Sequence, residues 1–213
     1  MSESIYWESE PVWDPTAILD RVELATHRVM RGAGSRVSSW YKQASMWVRN
    51  LSDMYDREPE VIAGIIAALS PQVGWHMQQK YIPLVLQWLT NEDKSYIYSN
   101  ELPHPGFTSN KDKAIRIWKE RDLSALSGQK VEAFCDALSG DINAVVIDMH
   151  MVDLALGIST PEEREGIGSL TENRYNLIAE SVSQSARLYG VSPRDMQATL
   201  WEYQRTQVRE LGY

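Results

Sequence analysis

The sequence predicts an all-α fold, on three observations. Apolar residues recur at helical spacing in successive stretches, as in "TAILDRVELATHRVM". The breaks between these stretches carry Gly, Pro, Ser, Asn or Asp, residues that cap or stop helices. No convincing strand appears: "NAVVID" is the one apolar run with strand character, and it is short and isolated.

The elements follow in order. Residues 1–15 read as an acidic, aromatic tail. A helix is predicted from Pro15 to Met30, and the two glycines of "RGAGSR" break it. "SSWYKQASMWVRNLSDMY" resumes helix, with Ser38 or Ser39 as its cap. In "DREPEVIAGIIAALS", Pro59 suits an early helical position, and Glu58 and Glu60 suit the positive end. The run behind them is nearly all apolar, and such a helix belongs at the centre of a domain. Pro71 ends it, and "QVGWHMQQKYIPLVLQWLT" continues helically. Residues 91–110, with two prolines and a glycine, read as a loop. "KDKAIRIWKERD" is a short amphipathic helix. A turn at "LSGQ", a helix from Lys130 to Leu138, a turn at "SGDIN" and a helix starting near Asp148 come next. Residues 159–170 read as a polar loop. "ENRYNLIAESVSQSARLYG" is a helix stopped by Gly190, and the last helix has Ser192 as cap and Pro193 just inside. The expected total is about nine helices joined by short connectors.

Composition bounds the function. A chain of 213 residues fits one domain or two small lobes sharing a core. Eight Trp and ten Tyr stand against two Phe, so rings with polar edges are available to a cleft as well as to the core. The net charge of -8 weighs against bulk electrostatic binding of nucleic acid and leaves room for a local basic face. A single cysteine, Cys135, excludes an internal disulfide and a cysteine-based metal cluster. No metal or cofactor is expected. "MSESIYWESEPVWDP" has no basic start and no long apolar stretch, so no signal peptide is expected there. No run reaches bilayer length, and the expectation is a cytoplasmic protein with no membrane contact.

The chemistry centres on "AVVIDMHMVDLALG", which brings Asp148 to the end of an apolar run, where desolvating a carboxylate is costly. An aspartate at a helix start is a good N-cap, and that ordinary role is complete in itself. Upstream, Lys130 follows a short turn. Its ordinary reading is a solvated lysine at a helix start, and that of His150 is a packed residue beside the aspartate.

The block "ALSGQKVEAFCDALSGDINAVVIDMHMVDLALG" resembles the signature of the helix-hairpin-helix (HhH-GPD) DNA glycosylase superfamily, with "IDMH" in place of "VDTH". Its hairpin lysine falls on Lys130 and its aspartate on Asp148. "VIAGIIAALSPQVGWHMQQK" resembles the family's helix and turn before the inserted residue, which falls on Gln72, and "GFTSNKDKAIRIWKE" resembles the helix before the hairpin. The resemblance covers about residues 59–157, three pieces in order. It departs in two ways. One hairpin glycine remains, Gly128, and the four-cysteine iron–sulfur loop is absent. The C-terminal "SPxDxQAxxWxxxR" looks like a divergent branch found in phage genomes, which would put the protein in a host cytoplasm.

The resemblance implies a two-lobed all-α fold: residues 56–143 as a lobe ending in the hairpin, and residues 1–55 joining 144–213 in the other. It implies a cleft carrying Lys130 and Asp148, with DNA as partner. Asp148 would stabilise positive charge developing on the sugar, and Lys130 would attack C1′ or bind phosphate. The base must leave the stack. Gln72 would fill the gap, Trp75 would lie one helical turn on, and Trp40 and Tyr41, with His150 near, would wall the pocket. Gly128, Gln129, Lys111, Lys113, Arg31 and Arg36 would contact phosphate. All have ordinary readings as core aromatics or solvated charges. Two other functions stay open. One is an enzyme of phage thymine hypermodification, replacing pyrophosphate on a hydroxymethyluracil base with an amine. The other is a DNA-binding module without catalysis.

Overall fold

A computed structural model describes residues 13–32, 36–90, 105–160, 162–165 and 167–210. The protein is all-α: nine α-helices and two short 3₁₀ turns occur among the described residues, with no strand. Most of the predicted tail, the centre of "RGAGSR" and residues 91–104 of the predicted loop lie outside those residues.

The chain divides into two compact units. One is the continuous stretch Trp40–Ala144; the other takes the described residues of Met1–Ser39 and Val145–Tyr213. The continuous unit holds α2 (Trp40–Tyr55), α3 (Pro59–Leu69), α4 (Trp75–Thr90), α5 (Thr108–Glu120) and α6 (Gln129–Ser139). The apolar helix α3 is its axis. Every residue from Val61 to Leu69 is buried, and α2, α4, α5 and α6 pack around it. At Gly64 a Cβ would come within 2.6 Å of a Leu123 methyl and 3.3 Å of Ile117, so the missing side chain lets α5 approach. The end of α3 is closed by buried Gln78, whose Nε2 donates to the Leu69 carbonyl at 2.7 Å.

The other unit holds α1 (Pro15–Arg31), α7 (Met149–Leu156), α8 (Glu172–Tyr189) and α9 (Pro193–Glu210). Asp14 caps α1 through the Thr16 amide at 3.0 Å. Trp13 is docked rather than part of a free tail: its indole donates to the Ile167 carbonyl at 2.9 Å, and Arg174 lies over its ring. Ser192 caps α9 by accepting from the Asp195 amide, and Gly190 follows α8, as expected.

Three sequence expectations are corrected. The domain boundary falls before α2, at Ser39/Trp40, not after residue 55. Ala44, Val48 and Leu51 of α2 are buried in the core built on α3, so burial binds α2 to that unit. The segment after Pro71 does not continue helically: residues 71–74 form a turn and α4 starts at Trp75. The region 159–170 contains a 3₁₀ turn, Glu162–Arg164, instead of only loop.

Candidate functional site

The opening puzzle, a carboxylate after three apolar residues, has a local answer. Val145, Val146 and Ile147 are buried and lie outside any helix. No neighbouring strand holds them. The Tyr175 hydroxyl of α8 does so, donating to the Val145 carbonyl at 2.8 Å and accepting from the Ile147 amide at 3.2 Å. One side chain thereby satisfies two buried backbone groups. The run is anchored in the core, and Asp148 emerges from it at a fixed point.

Asp148 is the N-cap of α7. Its Oδ1 accepts from the amides of His150 at 3.0 Å and Met151 at 3.2 Å. Its Oδ2 accepts from the indole N–H of Trp201, on α9, at 2.8 Å. A cap requires only the first oxygen. The second is held from 53 positions away in sequence. A carboxylate offers about four lone-pair directions, so three N–H donors leave one free, on Oδ2. The residue is half-buried, not sealed.

Two further groups frame Trp201. His150 meets it edge to face at 5.9 Å, and the buried His150 Nδ1 has no hydrogen-bond partner. On the indole face lies Arg205, its guanidinium carbon 4.4 Å from the ring centroid. Behind the site, α7 is locked from below. Asp153 is 1% exposed and receives Arg164 through two bonds, Nε to Oδ1 at 2.9 Å and Nη2 to Oδ2 at 2.5 Å. Those bonds hold the Arg164 guanidinium above its ordinary pKa.

The hairpin belongs to the other unit. Gly128 caps α6 with φ 94°, and its Cβ position faces open space. Glycine is thus required for the backbone angle, not for room. Gln129 opens α6, and Lys130 is exposed behind it. Lys113 reaches the same turn, donating to the Ser127 hydroxyl at 2.6 Å. Lys111 is half-buried against a small apolar recess with Leu69, Trp88 and Ile115. Arg31 and Arg36 are exposed. The far end of α6 is acidic. Burial, then repulsion from Asp141 and Glu132, raises the pKa of Asp136.

Gln72 is exposed in the turn after α3, with φ 63°. One residue of the expected pocket wall, Tyr41, is corrected. Tyr41 is 3% exposed, a core residue. Trp40 and Trp75 pack against the same core, their ring centroids 4.8 Å apart, with Phe134 at 6.2 and 6.4 Å. Trp75 begins α4 and is not one helical turn beyond Gln72, which lies outside the helix. The indoles of Trp40 and Trp75 are both half-buried against that core.

The sequence reading missed Tyr175, Trp201, Arg205 and the Asp153–Arg164 pair. The signal for two of them was present: Trp201 and Arg205 are the "W" and "R" of "SPxDxQAxxWxxxR". No group of three or more metal-ligating side chains forms among the described residues. No helix of the described residues is long and apolar enough to cross a membrane.

No curated protein and no solved structure matches the chain. One family model does, over residues 17–208, and by that match the chain belongs to the Family of unknown function (DUF7178).

Proposed function

We propose that the protein is a glycosylase-like enzyme on an HhH-GPD-type scaffold, acting on a modified nucleotide displaced from DNA. The observation that carries this reading is the double anchorage of Asp148. A helix cap has no use for the indole N–H on its second oxygen, whereas a carboxylate that must face a reacting atom does. Breaking an N-glycosidic bond develops positive charge on the sugar, and a fixed carboxylate stabilises it without reorganising during the reaction. The free direction on Oδ2 is where the sugar would lie.

Other features support it. The chain has one continuous helical unit and one assembled from both ends, as the resemblance implies in outline. Gln72, exposed at a left-handed backbone angle that costs a non-glycine residue about 1 kcal/mol, suits a gap-filling residue held out from the turn. Gly128, Gln129 and Lys130 open a helix in the manner of a phosphate-contacting hairpin. Lys130 is assigned the amine role: attack of its neutral amine on C1′ expels the base, which leaves with the amine proton, and breaking the C1′–O4′ bond then turns the glycosylamine into an imine to the lysine, with the second amine proton passing to O4′.

The test is mass spectrometry of the products from oligonucleotides carrying uracil, hydroxymethyluracil, its pyrophosphorylated form or an oxidised purine. Free base released by the wild type and not by Asp148→Asn supports the reading and names the substrate. Pyrophosphate released in the presence of an amine, with the base still attached, replaces it by the hypermodification reading. DNA binding without either product leaves the non-catalytic module.

A further inference from the structure

Arg205 stands out among the buried and half-buried arginines described in the Asp148 unit. Arg164 is engaged by Asp153, Arg174 by the Ile167 and Ser169 carbonyls, Arg21 by the Ala155 carbonyl and Arg194 by Asp195. Arg205 is half-buried and has no hydrogen bond or ion pair among the described residues; its contact is the face of Trp201. None of its nitrogens is both buried and unpartnered, so its N–H groups reach solvent. Contact with an indole face braces the guanidinium and leaves its outer N–H groups, which grip planar or tetrahedral oxyanions, available to a ligand.

The ring beneath it is itself immobile. Its N–H is bonded to Asp148 and its edge meets His150. The indole therefore separates two opposite charges: a carboxylate in its plane and a guanidinium over its face. A nucleotide needs such a pair, because its glycosidic carbon and its phosphate sit at different corners of one sugar. A carboxylate suits the first and an arginine the second.

We propose that Arg205, braced on Trp201, is an anion subsite that binds a phosphate group of the substrate whose sugar faces Asp148. The inference rests on the nucleotide reading of the Asp148 site and adds to it the group that holds the substrate in register. The phosphate has two sources: a phosphodiester of the DNA strand, or a pyrophosphate carried on the base. Arg205 contributes charge and bidentate geometry, and its contact with Trp201 reduces the side-chain freedom lost on binding.

The experiment measures binding, not turnover. Wild type, Arg205→Met and Arg205→Lys are titrated with a duplex bearing an abasic-site analogue over a series of salt concentrations, and separately with inorganic pyrophosphate. Methionine keeps an apolar stem on the indole and removes every donor. If the phosphodiester is the ligand, Arg205→Met loses about tenfold in DNA affinity and its logarithmic salt slope shrinks by about one. Arg205→Lys keeps the slope and recovers part of the affinity. If the pyrophosphate is the ligand, DNA binding is unchanged and pyrophosphate binding disappears in Arg205→Met. Equal binding of both ligands by wild type and Arg205→Met overturns the subsite, as does a wild type that binds neither. Asp148→Asn separates the two ideas. Unchanged DNA affinity in Asp148→Asn, with no base release by wild type, overturns the glycosylase reading and leaves the subsite standing.

Discussion

The start of α7 and the start of α6 are both helix N-termini with a chemically useful residue nearby, and they are built in opposite ways. Asp148 is held on both oxygens, by two amides and by Trp201. The helix it begins is fixed by an ion pair between buried Asp153 and half-buried Arg164. Lys130 is exposed, one residue into a helix whose cap, Gly128, offers no side chain. One group is positioned before any ligand arrives; the other remains free to find one. In the proposed reaction the carboxylate bears the precise task and the lysine the tolerant one.

The largest effect that would break this contrast is on activity. Asp148→Asn keeps the amide bonds at Oδ1 and removes the charge, and it should lower base release by about 10³-fold or more, measured under single turnover. Lys130→Met should abolish the adduct trapped by borohydride while base release falls far less, because water can replace the amine as nucleophile at a sugar whose positive charge Asp148 still stabilises. Equal loss in the two variants would erase the distinction between a positioned and a free group.

Next comes the support beneath α7. Arg164→Met leaves the Asp153 carboxylate, 1% exposed, without its partner, and should cost about 3–5 kcal/mol in urea unfolding. A cost under about 1 kcal/mol, the range of a surface pair, would show that α7 is not locked from below.

Trp201→Phe sharpens the same point at smaller scale. It keeps the ring under Arg205 and beside His150 and removes one N–H. We expect kcat to fall about tenfold with KM unchanged, as for one lost hydrogen bond to a charged group. A rise in KM alone would make the indole a binding surface and not the brace of Asp148.

At the hairpin, Gly128→Ala meets no neighbour, so its cost is the backbone conformation alone, φ 94° and ψ 128°, about 1–3 kcal/mol by denaturation. The smallest effect lies on the buried face of the same helix. Burial, with Asp136 and Glu60 near, pushes the Cys135 thiol up to about 12 from an ordinary 9.0. The folded state then retains a proton that the unfolded chain loses. Stability from this group is full below about pH 9 and falls as the pH rises toward 12. At pH 8 a thiol reagent should label Cys135 only as fast as the protein opens, a rate read by absorbance.

Much of the fold was legible because helices announce themselves locally. Pro59 at the first position of α3, the run buried on all sides behind it, Asp148 as a cap and Gly190 as a stop all follow from chemistry within a few residues. Tertiary packing decided the rest. Whether α2 joined the first or the second unit depended on which core took Ala44, Val48 and Leu51. Tyr41 became a core residue, and Trp40 and Trp75 packed half-buried against the core built on α3. Above all, sequence alone determined that Asp148 would start a helix, since an N-cap forms with its own neighbours. Only the tertiary structure decided that its second oxygen would meet Trp201, because a bond across 53 residues is made by the packing of α9 against α7 and leaves no mark in local spacing.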